Sequence, residues 1–278
     1  MRLIFSRKGF DSTAGGVPSP VVSGRPVSLP IPTRMPTPTR YCDVATGIHP
    51  LVEELTKGRI RSDHNCHLDP DLDEESLPRR AGWRGALGQL GAAQSHLAKN
   101  SVGPGDLFLF WGLFRTAAID PATKRWHFKG PREHRIFGWM QIDEVLRVGP
   151  DPQQVLRKYP WLEKHPHAEP GWAKSNTIYI AREQLRLPSR ALNQKGFGLF
   201  EKGYRLTSDA SPRASTWSVP RWLNPRTGGV GMTYHPDSRW NSDGSLTAAG
   251  RGQEFVADIG ERDDALDWVA ALFGPDVA

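Results

Sequence analysis

Leu107-Phe108-Leu109-Phe110-Trp111-Gly112-Leu113-Phe114 is the stretch on which the fold turns. It has no charge and is rich in aromatic residues, which reads as a β-strand buried on both faces. Gly103-Pro104-Gly105-Asp106 ahead of it is a turn signal. Arg135 to Leu146 reads as its partner strand, so the two form a central hairpin. The interruption between them carries Lys124, Arg125, Lys129 and Arg132 with Trp126 and Phe128. Cations interleaved with aromatics make this loop the best candidate for a nucleic-acid contact, although a solvated hairpin tip has the same composition.

Toward the N-terminus, Leu3-Ile4-Phe5 reads as a short strand that stops at the polar loop Ser6–Gly16. Pro18–Val22 and Val27–Pro32 are extended segments in which proline removes ladder donors, so they belong at an edge. His49–Lys57 reads as a helix with Gly58 as its C-terminal stop. A second helix is expected over Ala86–Lys99, from the spacing of Leu87, Leu90, Gln94 and Leu97. Toward the C-terminus, Pro152–Tyr159 reads as a short helix, Asn176–Ala181 and Gly198–Leu206 as strands. Trp217, Trp222 and Trp240 are packing anchors, Glu254–Ala257 is a strand, and Asp263–Phe273 is an amphipathic helix. This succession predicts an α+β fold: a curved, mostly antiparallel sheet or small β-barrel with a few packed helices, in one continuous domain.

The 278 residues suffice for a sizeable core, and 24 prolines with 28 glycines spread along the chain indicate many loops. A net charge of +6 favours polyanionic partners. The two cysteines, Cys42 and Cys66, form neither a disulfide framework nor a CxxC pair, so a reducing cytoplasm is expected. No apolar run is long enough for a membrane span, and no membrane partner is expected.

Four groups of residues, and the single amide of Gln94, carry chemistry. The loop Ser6–Gly16 offers Lys8, Asp11 and Ser12 beside glycines that allow close backbone approach. His67-Leu68-Asp69 has the spacing of two metal ligands on one extended segment, since residues i and i+2 point the same way. Asp71 would continue the row, His64 or Cys66 could add to it, and His96, His165, His167 or His235 could complete it. A two-histidine, one-carboxylate iron site or a zinc site would result; equally, Asp69-Pro70-Asp71 could be a turn whose carboxylates cap backbone donors. Arg251, Gln253 and Glu254 suit an anionic group or a base edge, or else an interior ion pair. Trp111 and Arg115 would stack on a base and hold a phosphate, or belong to the core, and Gln94 either braces a loop or faces a ligand. No Walker A loop, nucleophile elbow, dinucleotide fingerprint or HExxH motif is present.

Several of these segments, in order, resemble a bacterial family known as nucleotide modification associated domain 3. They are Ser6–Ser12 through Gly16-x-Pro18-Ser19-Pro20, Ser28–Pro32, His67–Asp71, Gly91-Ala92-Ala93-Gln94-x-His96-Leu97, Gly105–Phe110 and Gly250–Phe255. The resemblance implies a substrate class, nucleic-acid bases or nucleotides, rather than a reaction. Gly105-Asp106 with the aromatic strand, followed by Ile136-Phe137-Gly138 and Gln141–Val145, also looks like a PUA, EVE or ASCH-type barrel over about residues 100–182. Domains of that kind cradle nucleotides, including modified bases.

Together these readings predict an enzyme that modifies a nucleotide or a nucleic-acid base. Its pocket would lie between the N-terminal loop and His67–Asp71. Lys8 and Arg251 would hold an anionic group, Asp11 and Ser12 would orient the base or sugar, and His67 and Asp69 would bind a divalent metal (Fe or Zn) or act as an acid–base pair. The alternatives are a non-catalytic PUA-like reader of modified nucleotides and an accessory partner of other base-modification enzymes.

Overall fold

In a computed structural model, which describes residues 1–35 and 37–274, the central hairpin organises a nine-stranded sheet. The chain opens with β1 (Arg2–Arg7), β2 (Ser19–Val22), β3 (Arg25–Pro26) and β4 (Ile31–Pro32), then α1 (His49–Leu55) and β5 (Cys66–His67). Next come β6 (Ala86–Gln89), α2 (Gly91–Lys99) and the two long hairpin strands, β7 (Leu107–Ile119) and β8 (Trp126–Arg147). The rest is α3 (Gln153–Lys158), β9 (Thr177–Ala181), β10 (Phe197–Arg205), β11 (Thr216–Trp217), β12 (Leu246–Thr247), β13 (Glu254–Asp258) and α4 (Asp263–Ala271).

The sheet runs β13-β1-β7-β8-β9-β6, with β2 beside the outer half of β7 and β10 beside β8. Most pairs are antiparallel, but β1 and β2 both lie parallel to β7. That corrects the barrel expectation. Residues 100–182 do not close on themselves, because the free edge of β7 is taken by N-terminal strands, and β13 and β6 remain edges of an open, curved sheet.

As the apolar strand predicts, β7 is buried on both sides. Its odd residues Leu107, Leu109 and Trp111 join one core with Trp217, Trp222, Trp240 and the α4 face. Its even residues Phe108, Phe110 and Phe114 join the other with Leu97 of α2. Strand alternation produces this division.

The helix expected over 86–99 begins later. Residues Ala86–Gln89 instead pair antiparallel with β9, and Leu90 is extended before the helix starts at Gly91. Leu87 therefore shares a helical spacing with Leu90 and Leu97 by coincidence; the ladder on β9 outweighs local propensity here. Among the described residues no helix is long and apolar enough to cross a membrane.

Candidate metal centre at the sheet seam

The two edge strands approach each other at one place. Gln89, at the end of β6, donates through Nε2 to Oε1 of Glu254, the first residue of β13, at 2.5 Å. Lys8, just past β1, reaches the same oxygen with Nζ at 3.3 Å. The candidate site lies at this seam.

His67 ends the short strand β5, which pairs with β4, and Asp69 follows after a tight turn in which its amide donates to the His67 carbonyl at 2.9 Å. The two side chains meet across this turn rather than along an extended segment. The Nε2 of His67 lies 4.0 Å from Asp69 Oδ2, and both side chains are largely withdrawn from solvent. His167, in a 3₁₀ turn over Pro166–Ala168, completes a group whose ligand atoms all lie within 4.8 Å of one another. A four-coordinate ion with ligand bonds near 2.1 Å would set its ligands about 3.4 Å apart. Binding would therefore draw these three inward. The residues fit a divalent metal in type and number.

Neighbouring groups orient His167 and Asp69. Asn176, fully buried, donates Nδ2 to the carbonyls of His167 (2.9 Å) and Gly149 (3.2 Å). That fixes its amide, so Oδ1 accepts from His167 Nδ1 at 2.7 Å and leaves His167 Nε2 with a free lone pair. Asp69 Oδ1 accepts from the Gly88 amide at 2.7 Å, and His165 Nε2 stands 3.4 Å from the same oxygen without good hydrogen-bond alignment. His165 Nδ1 accepts from the His167 amide, which puts the His165 proton on Nε2, facing the carboxylate. Oδ2 is thus the oxygen left for a ligand. Trp172 stacks on the His167 ring at 4.8 Å, and Gly88 leaves the space that ring fills, since a Cβ there would lie 2.0 Å from it.

The electrostatics suit metal binding. Burial pushes His67 down to about 4 and also lowers His167, so both imidazoles are neutral at neutral pH. Burial alone would raise Asp69, but its contact with His165 and the nearby His167 and Lys8 hold it below the usual carboxylate range. Neutral imidazoles and an ionised carboxylate are the forms that bind metal. Glu254 is raised by burial and by Asp69, against the pull of Lys8. Its Oε2 has no hydrogen-bond partner, and neither has the hydroxyl of Ser6, which sits opposite it on β1 close enough to lower the carboxyl without forming a well-aligned bond.

Of the residues singled out from the sequence, His67, Asp69, Lys8 and Glu254 come together here. The others are elsewhere. Asp11 Oδ1 caps its own turn, accepting from the amides of Thr13 and Ala14 at 2.7 Å, and Ser12 is exposed beside it. Gln94 accepts from the Tyr179 hydroxyl at 2.9 Å, which is bracing. Trp111 is 1 % exposed and packed among His134, Trp217 and Phe255, so no base can stack on it. Arg115 lies far along β7, donating to Gly130. Arg251 and Gln253 are exposed.

Asp71 does not extend the ligand row: Arg79 grips both its oxygens at 2.6 and 2.7 Å. Cys66 alternates to the opposite face, into the core beneath Tyr41 and Val52. His96 bonds Thr233, and His235 accepts from the Ala249 amide, so neither completes the centre. Gln89 and Asn176 escaped sequence reasoning. The first was assigned to a helix; the second was only the start of a strand. His165-x-His167, a second pair at alternate positions, was the available signal.

The fold and site define an α+β protein in which two histidines and one carboxylate gather, largely withdrawn from solvent, at an open sheet's seam. The chain belongs to the nucleotide modification associated domain 3 family, whose model matches residues 2–258. Neither the curated proteins nor the solved structures contain a match to it.

Proposed function

We propose that the protein is a metal-dependent enzyme that modifies a nucleotide or a nucleic-acid base, with His67 Nε2, Asp69 Oδ2 and His167 Nε2 as ligands. The observation that carries this reading is the convergence of those three groups, whose ligand atoms lie within 4.8 Å of one another, with Asp69 held by the Gly88 amide and His167 by Asn176. The family description supports the substrate class. A bound iron or zinc ion would supply Lewis acidity or, as iron, dioxygen activation. The chain's own groups do the rest. Lys8 balances negative charge at the seam and holds an anionic group of the substrate. Glu254 Oε2, buried and unpartnered, accepts or returns a proton, with Gln89 and Lys8 fixing its other oxygen. The reader alternative loses the stacking platform on which it was built, because Trp111 is core.

Elemental analysis of protein purified without chelator, repeated on His67→Ala, Asp69→Ala and His167→Ala, tests the centre. About one ion per chain is expected in the parent and a near-complete loss in each variant. Equal metal content in all four proteins, or none in the parent after iron and zinc loading, would overturn the assignment.

A further inference from the structure

The central hairpin runs well past the sheet. Beyond Trp111, β7 continues for eight residues to Ile119, and β8 returns from Trp126. Residues 115–132 carry five cations, Arg115, Lys124, Arg125, Lys129 and Arg132, against the single carboxylate of Asp120, a net +4 in a chain whose total is +6. Asp120 Oδ1 accepts from the amides of Ala122 and Thr123 at 2.8 Å, which holds this one carboxylate at the turn. Lys124, Arg125, Lys129 and Arg132 are exposed, and none makes an ion pair among the described residues. Arg115 and Arg132 are direct cross-strand partners. Like charges in that relation destabilise a sheet, and although Arg115 also donates to the Gly130 carbonyl at 2.8 Å, an anion between the two would relieve the repulsion.

The arm is also braced. Leu51 and Leu55 of α1 pack under Ala117, with Trp126 and Phe128 against them, and the Trp126 amide donates to Glu54 Oε2 at 2.5 Å. A braced arm presents its charges without an ordering cost on binding. It is continuous with the candidate centre: the Lys8 amide donates to the Trp111 carbonyl at 2.8 Å. From Trp111 to Ile119, at about 3.3 Å per residue, the arm extends roughly 25 Å. A duplex rises about 3.4 Å per base pair along its axis, so an arm of this length lying along that axis runs beside about seven base pairs.

We infer that residues 115–132 grip the sugar–phosphate backbone of a polynucleotide, so that the base offered to the centre belongs to a strand rather than to a free nucleotide. The identity of the occupant rests on the nucleotide-directed reading above; the charge, exposure and rigidity of the arm do not.

Fluorescence anisotropy with a labelled 20-nucleotide DNA single strand, its duplex and the corresponding RNA tests this, with polyglutamate as competitor. The variant combines Lys124→Asn, Arg125→Gln, Lys129→Gln and Arg132→Gln; asparagine is chosen because Lys124 has φ +57°. Four phosphate contacts predict a log–log salt slope near −3.6 on the duplex, an approximately 150-fold weakening from 50 to 200 mM salt. The variant should bind weakly with a nearly flat slope while keeping the metal content of the parent. Unchanged slope and affinity in the variant, or displacement of DNA by polyglutamate at equal charge, would overturn the inference. A metal-free protein whose arm still grips DNA would refute the metal centre and leave this inference standing. A metal-loaded protein indifferent to the four substitutions would do the reverse.

Discussion

Asn176 offers the sharpest perturbation of the proposed centre, because it touches the metal site only through His167. Replacing it with leucine removes the acceptor for His167 Nδ1 and the donors to two carbonyls, all in a fully buried position. Two lost amide–carbonyl bonds, at about 1 kcal/mol each, with an imidazole N–H left unsatisfied, cost roughly 2–4 kcal/mol of stability. The ring then has no preferred tautomer, and loss of such an orienting partner weakens metal binding by about 10–100-fold, or roughly 1.4–2.7 kcal/mol. Asn176→Asp has the same shape and keeps the acceptor on Nδ1 while still losing the two donors. Its stability should fall too, yet its metal affinity should equal or exceed the parent's, since a carboxylate partner makes the imidazole a better ligand. Calorimetric titration of metal-free protein with Zn²⁺ and Co²⁺, beside urea denaturation, separates the two quantities. Equal loss of affinity in both variants would mean that the substitution acts through folding alone, and parent-like affinity in Asn176→Leu would refute the orienting role.

Two other expectations concern neighbouring features. Gly88→Ala places a Cβ about 2.0 Å from the His167 ring, which is held from the other side by Trp172, so the ring must move. A destabilisation of about 1–3 kcal/mol with loss of metal binding is expected, and parent-like metal content in a folded Gly88→Ala protein would contradict the packing described. Acid should also weaken the fold. Burial holds His134 and His235 down to about 4, against about 6.5 when unfolded. Between those values the unfolded chain binds more protons, so stability falls with pH from about 6.5 to 4, by up to ~1.4 kcal/mol per pH unit for each histidine. Melting temperatures measured across that range in metal-free protein check the sign; a flat profile would show that these rings are not held neutral.

Legibility from sequence followed the range of the interactions concerned. The Leu107–Phe114 strand, its partner around Arg135–Leu146 and the C-terminal helix were readable, because period and burial are written into consecutive residues. The same local logic failed at Ala86–Gln89, where a strand ladder with β9 overrode a helical spacing. It also failed for Asp11, whose carboxylate is consumed by its own turn, and for Trp111, whose aromatic character served the core.

By itself, the sequence determined that a doubly buried hairpin would be the centre of an α+β protein. Only the tertiary structure decided that His167, and not His96 or His235, completes the group. It also decided that Lys8, Gln89 and Glu254 meet at the seam between the outermost strands. The reason is physical. Alternation along an extended chain is fixed by backbone geometry within a few residues, whereas the meeting of residues 8, 67, 89, 167 and 254 depends on how far the whole sheet curves.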